Sequence, residues 1–361
     1  MAKNSNEDIS KLEDFIKKMQ KEEPSFLHSN CSYDILLNNY NYILTEKAKD
    51  RLDKLYTYIK KGIPVILEGE TGTSKTLSAE IICKYIYEQS NKKEKNAEEK
   101  NDEEKMYIKY NLSSDVKISD LMLKLMGDEN YLSGMKKVKG KFFKAFKEGI
   151  PLILDEINLA SQEVLQCIED ALDSKVINIE IPNIGMAQQE MNEGFCLIAT
   201  QNPNKDKYSN KRQPLSKSFL SHFQIIKFPP FEIDELKEIA EQLFRSFNGK
   251  EGDEKDKQFI SDLINFHNTW TSKENVKNEI ICFTIREIAA SVKAYIDEKK
   301  QNAFKIVKVI YGSRYRNKEK IELIDLLGKY ESFKSDYQTF KKNGTSFKIP
   351  DYINGVYINQ L

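Results

Sequence analysis

Two short segments of the sequence carry residue types that could bind a nucleoside triphosphate together with a metal ion. The first is GlyGluThrGlyThrSerLysThr, residues 69–76, which follows the apolar run 63–67 and precedes an amphipathic segment. The second is the adjacent acidic pair, Asp155 and Glu156, which follows the apolar run ProLeuIleLeu. A glycine-rich turn between a strand and a helix is the context of a phosphate-binding loop, and a carboxylate at a strand end can hold Mg²⁺.

The residues of the loop indicate how it would bind phosphate. Glycines at 69 and 72 let backbone N–H groups turn inward, and the helix that starts near Lys75 directs its positive dipole end to the same point. Lys75 would reach the β- and γ-phosphates. Ser74 stands where the usual GxxxxGK(S/T) pattern has glycine, so the serine restricts the turn or alters nucleotide affinity but removes no phosphate ligand. The predicted nucleotide-binding residues are Gly69, Glu70, Thr71, Gly72, Thr73, Ser74, Lys75 and Thr76.

The metal ion and the attacking water have their own predicted residues. The short hydroxyl of Thr76 can ligate Mg²⁺ from one side and Asp155 from the other, which leaves Glu156 to polarise a water. A third apolar run, residues 195–203, ends in Gln201 and Asn202, which we expect at the carboxyl edge of the sheet beside the γ-phosphate. The sequence therefore predicts ATP and Mg²⁺ as cofactors.

The order of these segments resembles the AAA+ ATPases of the dynein-related, MoxR-like and midasin-like branch. The likeness covers roughly residues 40–325 and rests on four ordered motifs. They are the loop at 69–76, LeuIleLeuAspGluIleAsn and the following helix at 152–173, the run at 195–203, and the segment ArgGlnProLeuSerLysSerPheLeuSerHisPhe that opens 212–229.

This resemblance implies roles for three further polar residues. Asn202 would be the first sensor, which orients the attacking water; the plainer alternative is a turn asparagine before Pro203. Arg286 would be the second sensor, reaching the phosphates from the lid; the alternative is a solvated surface arginine. Asn158 would support Glu156.

One position departs from the pattern of the family. In related ATPases an arginine at the position of His222 enters the neighbouring subunit's site, and an imidazole is shorter, mostly neutral at pH 7 and without the fork of donors. Arg212 is a candidate substitute for this arginine finger. The other alternative is that His222 merely packs at a strand entrance and a different partner chain supplies the finger. We expect slow hydrolysis by a ring made of this chain alone.

Two segments are predicted as insertions in the core. Residues 176–194 alternate apolar and polar side chains around Pro182 to Gly185, which indicates a hairpin. Residues 127–149 resemble the elements that this branch presents toward a central pore or a client, with ordinary loops as the alternative.

Strands that alternate with helices predict an α/β fold with a mostly parallel sheet. With the loop motif, this becomes a P-loop NTPase three-layer αβα sandwich plus a small helical lid. The predicted domains are an N-terminal helical extension at 1–35, the ATPase core at 36–230, the lid at 231–327, and a tail of unknown packing at 328–361.

Composition limits the classes of partner and the location that we expect. The chain has 361 residues with 56 basic and 56 acidic side chains, so its net charge gives no drive toward nucleic acid or a membrane surface. No apolar run approaches the roughly 20 residues of a membrane span, and the start lacks the apolar centre of a secretory signal. Five separate cysteines are predicted to be reduced, and the three histidines suggest no metal beyond Mg²⁺. We expect a cytoplasmic protein, with a nuclear location also open.

Two classes of function fit these observations. The first is an ATP-hydrolysing AAA+ module that forms a homo- or hetero-oligomeric ring with other AAA+ modules and remodels a protein or ribonucleoprotein client. The alternative is a nucleotide-binding structural or regulatory module with weak or no hydrolysis. The acidic pair and Asn202 favour the first class, and the histidine at 222 favours the second.

Overall fold

The computed structural model describes residues 42–91, 106–127, 135–181, 185–203, 214–277, 283–315 and 317–342, with positions 11 and 14 and the pairs 352–353 and 356–357. Most of the predicted extension at 1–35, and Arg212, lie outside the described residues. The described residues form two compact units. The sheet unit comprises residues 49–70 and 74–229, and the helical unit comprises 42–48, 71–73 and the described residues from 230 onward.

Helices and strands alternate in the first part of the chain. In chain order they are α1 Glu46–Lys60, β1 Val65–Gly69, α2 Lys75–Asn91, β2 Ile108–Asn111, α3 Ile118–Leu121, β3 Leu123–Gly127, β4 Met135–Lys139, α4 Lys141–Glu148, β5 Leu152–Asp155, α5 Gln162–Ser174, β6 Val176–Ile181, β7 Gly185–Glu190, β8 Leu197–Gln201, α6 Lys217–Ser221 and β9 Gln224–Phe228. A short 3₁₀ turn, Ile157–Leu159, separates β5 from α5.

Five of these strands form one parallel sheet in the order β2-β5-β8-β1-β9. Leu152, Ile153 and Leu154 of β5 are fully buried, as are the first three residues of β1 and of β8. Strands buried on both faces are continuous apolar runs, which is why the sequence showed them clearly. The parallel sheet and its flanking helices confirm the predicted α/β fold.

Two antiparallel hairpins extend from this core. Pairing of β6 with β7 confirms the hairpin predicted within 176–194, although its turn at 182–184 lies outside the described residues. Pairing of β3 with β4 forms a second hairpin that begins at Leu123, before the predicted insertion at 127–149.

Aromatic packing and one glycine shape the region around α4. The rings of Phe142 and Phe146 on α4 pack against Phe195 at centroid distances of 5.8 and 5.1 Å. Gly149 ends α4 with a φ of 71°, a conformation that glycine adopts without a steric penalty. Cys196, next to β8, is buried, and burial raises the pKa of its thiol to about 12, so this thiol stays protonated.

The helical unit contains six described helices. They are α7 Ile233–Asn248, α8 Glu254–Lys277, α9 Ile285–Asp297, α10 Ala303–Gly312, α11 Asn317–Leu327 and α12 Glu331–Lys342, followed by the short pair β10 Tyr352–Ile353 and β11 Val356–Tyr357. Their core is rich in aromatic rings, including Phe266 and Trp270. Phe333 of α12 is fully buried in the same core, so this part of the tail packs on the other helices. Among the described residues, no helix is long and apolar enough to cross a membrane.

Candidate functional site

The glycine-rich loop joins β1 to α2 and uses its two glycines for different reasons. Gly72 has a φ of 83°, in the left-handed region that favours glycine. Gly69 does not need positive φ. A Cβ atom there would meet the carbonyl oxygen of Phe228 on β9 at 2.1 Å, so Gly69 is required by close strand packing. The expectation that both glycines curl the loop therefore holds for Gly72, whereas Gly69 allows β9 to approach.

Ser74 adopts a left-handed backbone conformation, which favours glycine. Its φ is 65°, which costs a residue with a Cβ about 1–2 kcal/mol. The backbone N–H and the side-chain hydroxyl of Ser78 both donate to the Ser74 carbonyl, at 2.9 and 2.8 Å. The first turn of α2 is thus hydrogen-bonded to a strained residue. The serine that replaces glycine in the loop pattern therefore carries a steric cost.

Lys75 is buried and its ammonium group joins the loop to the sheet. The Nζ atom donates to the carbonyl oxygens of Gly69 and Glu70 at 2.8 and 2.7 Å. It also donates to Oδ1 of Asn202, beyond the end of β8, at 2.9 Å. The three acceptors hold a positive charge at the carboxyl edge of the sheet, where the sequence predicted phosphate binding.

Thr76 and Asp155 lie together, as predicted for a metal site. The Thr76 hydroxyl donates to Oδ1 of Asp155 at 3.0 Å, and the hydroxyl of Thr200 donates to the same carboxylate oxygen. Hydroxyl and carboxylate oxygens are the hard ligands that Mg²⁺ prefers. This donor set fits the metal that the sequence predicted.

Glu156 lies beside Asp155 in a left-handed conformation, with φ 58° and ψ 49°. Its carboxylate Oε1 accepts a hydrogen bond from the Asn202 amide at 2.5 Å. Asn202 therefore bridges Lys75 and Glu156, because its side-chain oxygen accepts from the lysine and its nitrogen donates to the glutamate. The side chain of Asn158 donates to the backbone carbonyl of Asn202 at 2.9 Å, so it supports the residue that contacts Glu156.

Successive polar side chains at the end of β8 point to opposite faces of the sheet. Thr200 and Asn202 face the acidic pair, whereas the Gln201 amide donates to the Glu68 carboxylate on β1 at 3.2 Å. We expected Gln201 to lie beside Asn202, but its side chain lies on the opposite face of β8. We missed Thr200, although the alternation of side chains along a strand places residues 200 and 202 on one face.

His222 lies at the end of α6 between two carboxylates of its own chain. Its Nε2 is 3.7 Å from Oε1 of Glu169 and its Nδ1 is 3.5 Å from Oδ1 of Asp173, both on α5. The hydroxyl of Ser218 also donates to the Glu169 carboxylate. The imidazole is only 20% exposed, so it packs between the end of α6 and α5 of its own chain.

Arg286 belongs to the helical unit. It lies in the first turn of α9, where its backbone N–H donates to the hydroxyl of the capping residue Thr284 at 3.2 Å, and its side chain is exposed. The role that the resemblance implies for Arg286 stays a prediction.

Comparison with known proteins identifies one matching family and several similar proteins. Residues 64–223 match the family of AAA domains of the dynein-related subfamily. A midasin of Giardia intestinalis is 29% identical over 200 residues, which is 55% of this chain and 4% of that protein. A midasin of Dictyostelium discoideum is 29% identical over 144 residues, which is 40% of this chain and 2% of that protein. The chain therefore spans a small fraction of these relatives.

One solved structure with a similar backbone is NtrX from Brucella abortus in complex with ADP. It is 12% identical, with 88% of this chain and 67% of that chain covered and a TM-score of 0.46.

Proposed function

Because residues 64–223 are an AAA domain of the dynein-related subfamily, and hence part of an AAA+ nucleotide-binding module, we propose that the edge of its sheet binds ATP with Mg²⁺ and hydrolyses the γ-phosphate. The observation that carries the proposal is the hydrogen-bonded path from Lys75 through Asn202 to Glu156. The Asn202 side chain therefore contacts both the Lys75 ammonium, which can bind phosphates, and the Glu156 carboxylate, which can activate a water.

The residues of the loop supply the binding part of this proposal. The ammonium of Lys75, now on the carbonyls of Gly69 and Glu70, provides positive charge for the β- and γ-phosphates. Thr76 and Asp155 would hold Mg²⁺ through their oxygens. When bound, Mg²⁺ neutralises charge on the phosphate oxygens.

The two residues of the acidic pair have different roles. Asp155 serves the metal, while Glu156 orients and deprotonates the attacking water as a general base. Asn202 holds the Glu156 carboxylate in place through its side-chain nitrogen. Phosphoryl transfer needs mainly positioning and charge stabilisation, which these contacts favour.

We also propose that the module works in a ring with other AAA+ modules and couples hydrolysis to the remodelling of a protein or ribonucleoprotein client. The resemblance to the dynein-related branch and the two hairpins support this. The identity of the client does not follow from these features.

The second candidate function is a nucleotide-binding structural or regulatory module with weak hydrolysis. It is favoured by His222, whose two ring nitrogens both face carboxylates of α5. A side chain held in this way on its own chain is not positioned to act as an arginine finger in a neighbouring subunit's site, and such a finger is worth roughly 10³–10⁵ in rate.

Titration of the purified chain with a fluorescent ATP analogue and Mg²⁺ tests the proposal. We expect saturable binding by the wild type, weakened by at least roughly tenfold in Lys75→Ala, because the loss of a charged donor costs about 1.5–3 kcal/mol. Lys147→Ala removes an exposed lysine at the end of α4 and should leave the affinity unchanged. Equal affinity in Lys75→Ala and the wild type would contradict the proposal.

A further inference from the structure

The hydroxyl of Thr200 contacts both members of the acidic pair. It donates its hydrogen to Oδ1 of Asp155 and accepts a hydrogen bond from the backbone N–H of Glu156 at 3.1 Å. Thr200 is 2% exposed, and its backbone is fixed in β8 opposite Leu67 of β1. A single buried hydroxyl therefore ties the sheet to the metal ligand and to the water-activating residue.

The chemistry of threonine suits this position. A hydroxyl has one donor and two acceptor sites, so it can serve a carboxylate and an N–H group at the same time. The branched side chain of threonine is also stiff about χ1. Valine has nearly the same shape and has no hydroxyl, while serine keeps the hydroxyl and loses a methyl group.

The contact with Asp155 determines where its carboxylate points. Oδ1 of Asp155 accepts from both Thr76 and Thr200, and these two hydroxyls approach from the loop side and the sheet side. Loss of one donor lets a carboxylate turn about its last bond, and partners behind metal ligands are typically worth 10–100-fold in metal affinity.

The contact with Glu156 supports an unfavourable backbone conformation. The φ of 58° and ψ of 49° lie in the left-handed region, which is unfavourable for a residue with a Cβ atom and needs opposing interactions. The Glu156 N–H is held by Thr200, and its carbonyl accepts from the N–H of Leu159 at 2.9 Å. These bonds hold the Glu156 carboxylate within reach of Asn202.

We propose that Thr200 is the positioning residue of the acidic pair, which fixes Asp155 for Mg²⁺ and Glu156 for the attacking water. The inference rests on the proposed function, because it assigns Thr200 to the same ATP and Mg²⁺ site. It goes further by naming a residue that acts on the ligands without itself touching nucleotide or metal.

The test compares Thr200→Val and Thr200→Ser with the wild type in two titrations. In the first, Mg²⁺ is added to the chain with a fluorescent ATP analogue, and the half-saturating Mg²⁺ concentration is measured. We expect it to rise roughly tenfold or more in Thr200→Val and to stay within about twofold in Thr200→Ser. In the second titration, with EDTA, all three proteins should bind the nucleotide with the same affinity.

Hydrogen exchange at the Glu156 amide supplies a readout without nucleotide. The exchange of this amide should be faster in Thr200→Val and nearly unchanged in Thr200→Ser. If the valine variant does not fold, Thr200→Ala removes the same hydroxyl in a smaller side chain and is expected to behave in the same way.

The outcomes separate this inference from the proposed function. If the wild type shows no Mg²⁺-dependent binding, the proposed function fails and the inference fails with it. If the wild type responds to Mg²⁺ and Thr200→Val responds equally, only the inference fails. Equal losses in the valine and serine variants would show that the hydroxyl is not sufficient to hold the acidic pair, and would also overturn the inference.

Discussion

The edge of the sheet and the core of the helical unit hold their polar side chains in different ways. At the edge, Asn202 bridges the charged groups of Lys75 and Glu156. In the helical core, two contacts join polar side chains that lie among aromatic rings. The indole N–H of Trp270 donates to the Tyr315 hydroxyl at 2.9 Å, and His267 Nδ1 lies 2.8 Å from the Tyr311 hydroxyl.

The difference indicates what each region can tolerate. The edge contains two non-glycine residues with positive φ, Ser74 and Glu156, which keep polar atoms converged at a cost in stability. The described core of the helical unit instead gains stability by burying large rings. Substitutions at the edge should therefore change ligand binding, and substitutions in the helical core should change the free energy of unfolding.

The largest effect is expected from Trp270→Ala. Trp270 is 1% exposed, stands edge-on to Tyr315 and packs near Phe266. Truncation of a buried large aromatic residue costs about 3–5 kcal/mol. Denaturant unfolding followed by circular dichroism should show this loss for the helical unit.

Tyr315→Phe is the matched control for the same contact. It removes the hydroxyl that accepts the Trp270 N–H and keeps the ring, so we expect a loss of about 1–2 kcal/mol. Equal losses for the two variants would show that the hydrogen bond, and not the packing of the indole, dominates this core.

The next effect concerns pH. Burial lowers the pKa of His267 from its ordinary value of 6.5 to about 4. The unfolded chain takes up a proton near pH 6.5, whereas folded His267 resists protonation down to about pH 4, so acidification favours unfolding. Between pH 7 and pH 5 this residue should remove about 2 kcal/mol from the stability of the helical unit.

Trp270 is the single tryptophan of the chain, so its fluorescence during urea unfolding reports on this unit. His267→Gln keeps a polar side chain near Tyr311 and does not titrate. Its stability should fall less than that of the wild type between pH 7 and pH 5, and an identical fall in both proteins would disprove the assignment to His267.

The smallest effect is expected from relieving the strained backbone of Ser74 at the edge of the sheet. Ser74→Gly removes the steric cost of a φ of 65° and should raise the stability of the sheet unit by about 1 kcal/mol. Lys175→Gly is the matched control, because Lys175 follows α5 with a φ of 55°. Both variants should gain stability, and only Ser74→Gly should change nucleotide affinity. Lower stability in Ser74→Gly would show that the serine is not strained.

Much of the sheet unit could be predicted from the sequence because its signals are local. A buried parallel strand is a continuous apolar run, and a phosphate-binding loop is a contiguous motif, so Lys75, Thr76 and the acidic pair were found directly. The hairpin within 176–194 was predicted from the alternation of apolar and polar residues around Pro182 to Gly185.

The remaining features depend on contacts between distant residues. No spacing in the chain indicates that His222 lies between Glu169 and Asp173, or that Trp270 meets Tyr315. Thr200 was within reach of sequence reasoning because residue 202 was already assigned to the site. The role of Gly69 required knowledge of which strand lies beside β1.

Whether Glu156 is the general base can be tested by measuring phosphate release together with ATP binding. The proteins compared are the wild type, Glu156→Gln and the control Glu163→Gln, which changes an exposed residue in the first turn of α5. We expect slow, Mg²⁺-dependent release by the wild type and the control. We expect Glu156→Gln to bind ATP about as tightly as the wild type and to release no measurable phosphate, since the amide keeps the geometry but cannot act as a base. Hydrolysis by Glu156→Gln at the rate of the wild type would show that Glu156 is not the base.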